Sequence, residues 1–404
     1  MKVLERRFYT DKIDDSLGKG QIIVLTGQRR VGKSCILNLL KNGKSADSNN
    51  NVIFIDKERR EFDDIRNYQD LNSYLEKHFR KGRHNLILID EVQDIAEFEK
   101  SIRSWRTEPD TDIVMTGSNA KMLSRDLSTL IGGRYKEIYI QPLSYLEFLR
   151  FHGLQDSDES LGKYIKFGGM PGLSIVELDE QVAYEYLGGI YSTALLKDVI
   201  LRNSIRNTAF LGNLVTFLAD NEGKLISSNS ISNYMKSSNI SSATPSSVIN
   251  YISSLCEAYI ISKVERFDIH GKRLLESNCK YYFEDHGIRN AIVGGNREGD
   301  IEKVIENIIH SQLVRMGYTV RIGQLKAGEV DFVCTRSGSQ RLYIQASYII
   351  ADEGTREREF SPLRLIDDNY PKYVISMTPL INRSDDNGII HLSLRRFLTG
   401  EFEA

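Results

Sequence analysis

The chain has 404 residues, and at roughly 150 residues per domain this is two to four domains, more than one hydrophobic core can serve. Its 53 Lys and Arg against 55 Asp and Glu leave a formal net charge of −2, which excludes a polycation held to nucleic acid by its global field and confines any such contact to a local patch. Charged residues at 27% and apolar residues at 41% exclude a disordered or collagen-like chain. No apolar run approaches the ~20 residues that span a bilayer, and Met1-Lys2-Val3-Leu4-Glu5-Arg6-Arg7 does not lead into the apolar stretch of a signal peptide. Cys35, Cys256, Cys279 and Cys334 lie far apart with no C-x-x-C pair, which argues against a zinc knuckle or disulfide framework and for a reducing compartment. The expectation is a cytoplasmic, multidomain protein with no membrane partner.

Near the start, QIIVLTGQRRVGKS (residues 21–34) takes the apolar run Ile22-Ile23-Val24-Leu25 into Gly27-x-x-x-x-Gly32-Lys33-Ser34, and CILNLLK continues at helical spacing. This is a G-x-x-x-x-G-K-[ST] loop between a predicted strand and a predicted helix. The two glycines let the backbone curl so that successive N–H groups point at phosphate oxygens, and the helix N-terminus adds a positive end. The predicted nucleotide cradle is Gly27, Gln28, Arg29, Arg30, Val31, Gly32, Lys33, Ser34 and Cys35. Lys33 would reach the β- and γ-phosphates of ATP, and the Ser34 hydroxyl would ligate Mg2+. After the strand NVIFID, the loop IDKERREF carries Lys57, Arg59 and Arg60. These fit a contact with a DNA backbone; with Glu58 and Glu61 among them they fit a solvated charge run equally well.

Residues 86–94, LILIDEVQD, form a continuous apolar run ending in Asp90-Glu91. Such a run suits a strand buried on both faces of a parallel sheet, and its C-terminal tip is where α/β sheets bind ligands. Asp90 is placed for the hydration shell of Mg2+, Glu91 for orienting and polarising an attacking water. A third short strand, DIVMTGSN, ends in Ser118 and Asn119, either of which could hydrogen-bond the γ-phosphate or that water; Asn119 is the catalytic candidate. Arg134 sits immediately before a further strand, KEIYIQP, with Arg125 upstream.

This order of P-loop, D-E strand, T-G-S-N strand and arginine before the last strand resembles the AAA+ branch of P-loop ATPases. GQRRVGKS, LILIDEVQD, MTGSNAKMLS, LIGGRYKEIYIQPLSYLEF and FGGMPG look like the bacterial and archaeal AAA-type ATPases whose C-terminal part is restriction-endonuclease-like, over nearly the whole chain. The resemblance implies a homo-oligomeric ring in which Arg134 reaches the neighbouring subunit's nucleotide as a finger, a contact that can be worth ~10³-fold in rate. Otherwise Arg134 is a surface arginine after a Gly-Gly turn. One departure stands out: Gly168-Gly169-Met170-Pro171-Gly172 lies where many AAA+ proteins carry a sensing arginine in the lid, and nothing makes Arg202 or Arg206 its substitute.

The expected fold class is α/β: a P-loop AAA+ parallel sheet (1–141), a helical lid (142–205), a winged helix-turn-helix (206–295) and an α/β nuclease-like domain (296–404). In the third part Ser241 to Thr244 would form the turn and Pro245 the first residue of the recognition-type helix. That helix is almost free of basic residues; the charge falls in the wing, at Lys263, Arg266, His270, Lys272 and Arg273, which suits phosphate contact and not sequence reading.

From residue 300 an amphipathic helix precedes GYTVRIG, EVDFVCT and RLYIQAS, then a helix and KYVISM. This order resembles the PD-(D/E)xK nuclease core. Such a core needs Mg2+-binding carboxylates and a lysine in the third strand. Asp331, Glu329 and Glu306 supply acids, but the third strand reads Gln345-Ala346-Ser347, so a carboxylate and the lysine are missing and the expected scaffold has lost cleavage. Three functions follow: a Mg2+-dependent ATPase that moves or remodels duplex or branched DNA, a nucleotide switch acting on a protein partner in defence or regulation, and an ATP-regulated nuclease.

Overall fold

The structure, a computed structural model, describes residues 4–117, 134–237, 243–295, 297–326, 328–336, 340–379 and 383–402. Two compact units divide the chain: Met1–Gln141 with Glu257–Tyr259, and Pro142–Cys256 with Ile260–Ala404. Among the described residues no helix is long and apolar enough to cross a membrane.

The first unit is a five-stranded sheet in the order β2-β3-β4-β1-β5. Its strands are β1 (Ile22–Thr26), β2 (Asn50–Asp56), β3 (His84–Asp90), β4 (Thr111–Thr116) and β5 (Tyr135–Tyr139). Every pairing is parallel. The unbroken apolar runs read from the sequence are the central strands, buried on both faces: all five residues of β1 and six of the seven in β3. Ile22, Val24, Ile53, Ile55, Ile87, Ile89, Ile113 and Met115 pack one face against Leu71, Leu75, Phe98 and Ile102. Each such side chain contributes about 1.5–3 kcal/mol of burial. Because the strands run one way, the C-terminal ends of β1, β2, β3 and β4 gather at a single edge.

In the second unit one mixed sheet has the order β12-β13-β11-β10-β9-β8-β6-β7. Its strands are β6 (Ile261–Asp268), β7 (Arg273–Phe283), β8 (Thr319–Leu325), β9 (Gly328–Arg336), β10 (Gln340–Ala346), β11 (Lys372–Ser376), β12 (Arg383–Asp386) and β13 (Ile389–Ser393). The hairpin expected as a wing is β6–β7, and β6 also pairs in parallel with β8. The boundary expected at 295/296 therefore falls within one sheet. Helix Ile301–Arg315 lays Val304, Ile305, Ile308, Ile309 and Leu313 into the same core as Tyr145, Phe148 and Leu161, so the boundary at 205/206 also lies inside this unit. Pro245 does open the helix Pro245–Glu257. Beyond KYVISM, β12 and β13 extend the sheet by a hairpin that the sequence pattern did not single out.

Candidate functional site

The loop after β1 is shaped by two backbone requirements. Gly27 has φ +133°, and a Cβ there would lie 2.1 Å from the Ile140 carbonyl oxygen, so no side chain fits. Gly32, at φ +99°, caps the helix Lys33–Lys44. A helix opened by glycine has no side-chain acceptor of its own, the arrangement in which an anion takes that place.

Lys33 is buried, and its ammonium donates to the carbonyls of Gly27 (2.8 Å) and Gln28 (3.0 Å), across the loop it would serve. The Gln28 amide is buried as well, and its Oε1 has no hydrogen-bond partner among the described residues. An orphaned polar atom beside a curled, glycine-started helix fits a ligand rich in polar atoms. Val31 is buried; Arg29 is half-buried, while Arg30 and Cys35 are exposed.

At the end of β3, Asp90 is 1% exposed. Burial pushes its carboxyl up; hydrogen bonds from the Thr116 and Ser34 hydroxyls pull it down, and the neighbouring charges of Glu91 and Asp56 push it up again. The structure thus places the Ser34 hydroxyl against Asp90, and this pair could hold a hydrated divalent cation. Glu91 takes the left-handed conformation (φ 51°, ψ 51°). Thr116 holds it there: its hydroxyl accepts the Glu91 N–H at 2.9 Å and donates to Asp90 Oδ1. Gln93 donates to the Glu91 carboxylate.

Two contributors were missed by motif reading. Thr116, fully buried at the end of β4, ties both acids to a neighbouring strand; the motif drew attention to the polar residues after it instead. Arg6 donates to the Val31 carbonyl at 2.9 Å and lies over the Tyr9 ring at 4.6 Å, bracing the loop. Ser118, Asn119 and Arg125 lie outside the described residues.

Arg134 is exposed and directly precedes β5. Ile22 pairs with Tyr135, so Arg134 stands at the N-terminal edge of the sheet, with the length of β1 between it and the P-loop. Five residues of strand span roughly 17 Å.

The basic candidates are mostly engaged within the chain. Lys57 donates to the Phe62 and Ile65 carbonyls, and Arg59 pairs with Asp56 at 2.9 Å and Glu61 at 3.7 Å. In the hairpin Lys263 pairs with Glu265, Arg266 donates to Gln324, and Arg273 lies 3.6 Å from Asp268. Arg60, His270 and Lys272 are exposed. In the second unit Glu306, Glu329 and Asp331 do converge, around Lys280, a residue the sequence did not mark.

An AAA domain is matched over residues 19–149, and a domain of unknown function (DUF8612) over residues 158–299. The fold is similar to that of a Walker-type ATPase of Pyrococcus abyssi, with a TM-score of 0.51 at 16% identity, covering 71% of this chain and 95% of that one. An uncharacterized protein of Methanocaldococcus jannaschii is 27% identical over 365 residues, 86% of this chain and 79% of the relative. An uncharacterized protein of Haemophilus influenzae is 32% identical over 381 residues, 93% of each chain. The chain belongs to the family of that Haemophilus protein, and its residues 19–149 carry an AAA domain of the P-loop ATPase class.

Proposed function

We propose that the protein is an ATP hydrolase whose subunits complete one another's sites in a homo-oligomer, and that hydrolysis drives remodelling of DNA. The observation that carries the hydrolase reading is the convergence at one sheet edge of the P-loop, the Ser34–Asp90 pair and Glu91 fixed by Thr116. Mg2+, held through Ser34 and Asp90, would neutralise developing charge on the phosphates. Lys33 then exchanges its loop carbonyls for phosphate oxygens, and Glu91 orients the attacking water. Arg134, at the opposite edge of its own sheet, suits completion of a neighbour's site. A winged helix-turn-helix in 206–295 and a nuclease-like scaffold in 296–404 belong to the same proposal as the parts that would engage DNA.

A second reading, a nucleotide switch acting on a protein partner, is favoured by one observation: Lys57, Arg59, Lys263, Arg266 and Arg273 all have partners within the chain. Steady-state ATP hydrolysis with single-stranded, duplex and four-way-junction DNA separates the two. Lys33→Ala and Glu91→Gln should abolish turnover, and unchanged rates in either would refute the site. Stimulation by one DNA form supports remodelling; robust hydrolysis indifferent to every DNA supports the switch. Adding Arg134→Ala subunits to wild type should depress the rate below simple dilution if sites are shared.

A further inference from the structure

The carboxylates of a nuclease-like core are the expected seat of a divalent cation, and here they surround something else. Lys280, on β7 and 4% exposed, directs its ammonium to Glu306 Oε1 at 2.8 Å, Glu329 Oε1 at 2.7 Å and Asp331 Oδ1 at 3.3 Å. The ammonium donates hydrogen bonds to Glu306 and Asp331, and Glu329 completes the ring of negative charge as an ion pair. Two of the three acids have further partners in the fold. Tyr282 donates its hydroxyl to Glu306 Oε1 at 2.5 Å, and Asp331 Oδ2 accepts the Ala346 N–H at 2.9 Å. Gln345, where a metal-binding core has a carboxylate, accepts the Asp331 N–H.

The distances decide between occupants. Mg2+ demands oxygens at about 2.0–2.1 Å and Ca2+ at about 2.3–2.6 Å. The acids here stand at hydrogen-bond distance from a common nitrogen, so a divalent ion would need both contraction of the cluster and eviction of a buried ammonium of like charge. Among the described residues no group of three or more His, Cys, Asp or Glu is arranged to hold a metal ion.

We infer that the acidic cluster of the second unit is a permanent ammonium site, with Lys280 as its built-in cation, and that it takes no divalent metal. The residues of this core therefore do not fit the Mg2+ that the nuclease likeness implies. The inference stands on these side chains alone and is independent of ATP hydrolysis in the first unit.

The test uses the full-length chain without nucleotide. Mn2+ binding, followed by electron paramagnetic resonance, should be identical in wild type and Asp331→Asn; a site in wild type that Asp331→Asn removes would overturn the inference. Lys280→Ala should lower the melting temperature, and propylammonium should restore part of the loss where tetramethylammonium of equal ionic strength does not. A folded variant that propylammonium restores no better than tetramethylammonium would also overturn it. Should Lys280→Ala fail to fold, the Mn2+ comparison still decides, and Lys280→Arg, which keeps a cation, should fold without acquiring a Mn2+ site.

Discussion

Thr116→Val is the substitution that weighs most on the candidate site. Valine replaces the hydroxyl by a methyl of nearly the same volume, so the change is chemical and leaves packing intact. Two bonds go with the hydroxyl: the one donated to Asp90 and the one accepted from the Glu91 N–H. The first involves an acid and is worth about 1.5–3 kcal/mol; the second leaves a buried N–H without an acceptor, at about 1–3 kcal/mol. Thr116 is fully buried, so water cannot stand in. The expected destabilisation is on the order of 3–5 kcal/mol. Asp90 also loses a bond that holds its carboxyl down, and Glu91 loses the tie that favours its left-handed geometry. Turnover should fall by at least about tenfold, which is ~1.4 kcal/mol of barrier. Thr116→Ser keeps both bonds and loses one methyl, at about 1 kcal/mol, with turnover retained. Urea unfolding and steady-state ATP hydrolysis measure the two effects. A valine variant as stable and as active as the serine variant would refute the reasoning.

Three further outcomes follow from the geometry. Gly27→Ala should abolish nucleotide binding, measured with a fluorescent ATP analogue, because its Cβ would stand 2.1 Å from a backbone oxygen. Gly43→Ala, in the helix after the P-loop with open space around it, should instead add about 0.5–1 kcal/mol to stability. His310 is buried, stacked on Tyr282 at 4.6 Å, and burial lowers its imidazole to about 3. The unfolded chain takes up this proton near pH 6.5 and the folded chain does not, so the stability from His310 is present above that value and is lost as pH falls. Between about pH 6.5 and pH 5 the loss is about 2 kcal/mol. Glu222, pushed up to about 7 by burial, acts with the opposite sign: its contribution is present in acid and is lost as pH rises through about 7. Comparing His310→Phe with wild type in urea titrations at both pH values isolates the histidine, and equal pH dependence in the two proteins would contradict its assignment.

What could be read from the sequence was what local chemistry dictates. Gly27, Gly32, Lys33 and the strand ending in Asp90-Glu91 announce themselves because their roles depend on neighbours a few residues away. The central strands were legible for the same reason, since burial on both faces leaves an unbroken apolar run. Thr116 was not legible: nothing in DIVMTGSN distinguishes a threonine that bonds two acids on another strand from one that merely ends β4. Lys57 and Arg59 read as exposed charge because sequence does not show that carbonyls and Asp56 lie within their reach. Lys280 was the furthest from view. It lies on a hairpin read as a wing, 51 residues from Asp331, and meets the acids only because β6 pairs with β8 and brings β7 into the same sheet.

That shared sheet makes the second unit sensitive to where it is cut. Ending the chain after residue 295 would remove β8 and strip β6 of its parallel partner. It would deprive Lys280 of all three carboxylates, leaving a buried ammonium unpaired. Arg289, fully buried, would keep Glu222 at 3.5 Å and the Ala219 carbonyl at 2.9 Å but lose Asp300 at 2.7 Å. Removing one partner of a buried pair costs about 3–5 kcal/mol, and two such losses come before the core residues of helix Ile301–Arg315 are counted. Each of Val304, Ile305, Ile308, Ile309 and Leu313 adds about 1.5–3 kcal/mol of burial. A fragment of residues 1–295 should therefore be insoluble, or soluble without a cooperative unfolding transition for its second unit. Tyrosine near-UV circular dichroism during urea titration would report this, with the single tryptophan, Trp105, following the first unit. A fragment that unfolds cooperatively with the midpoint of the full chain would show that residues 206–295 pack on their own and that the continuous sheet is a docking of two domains.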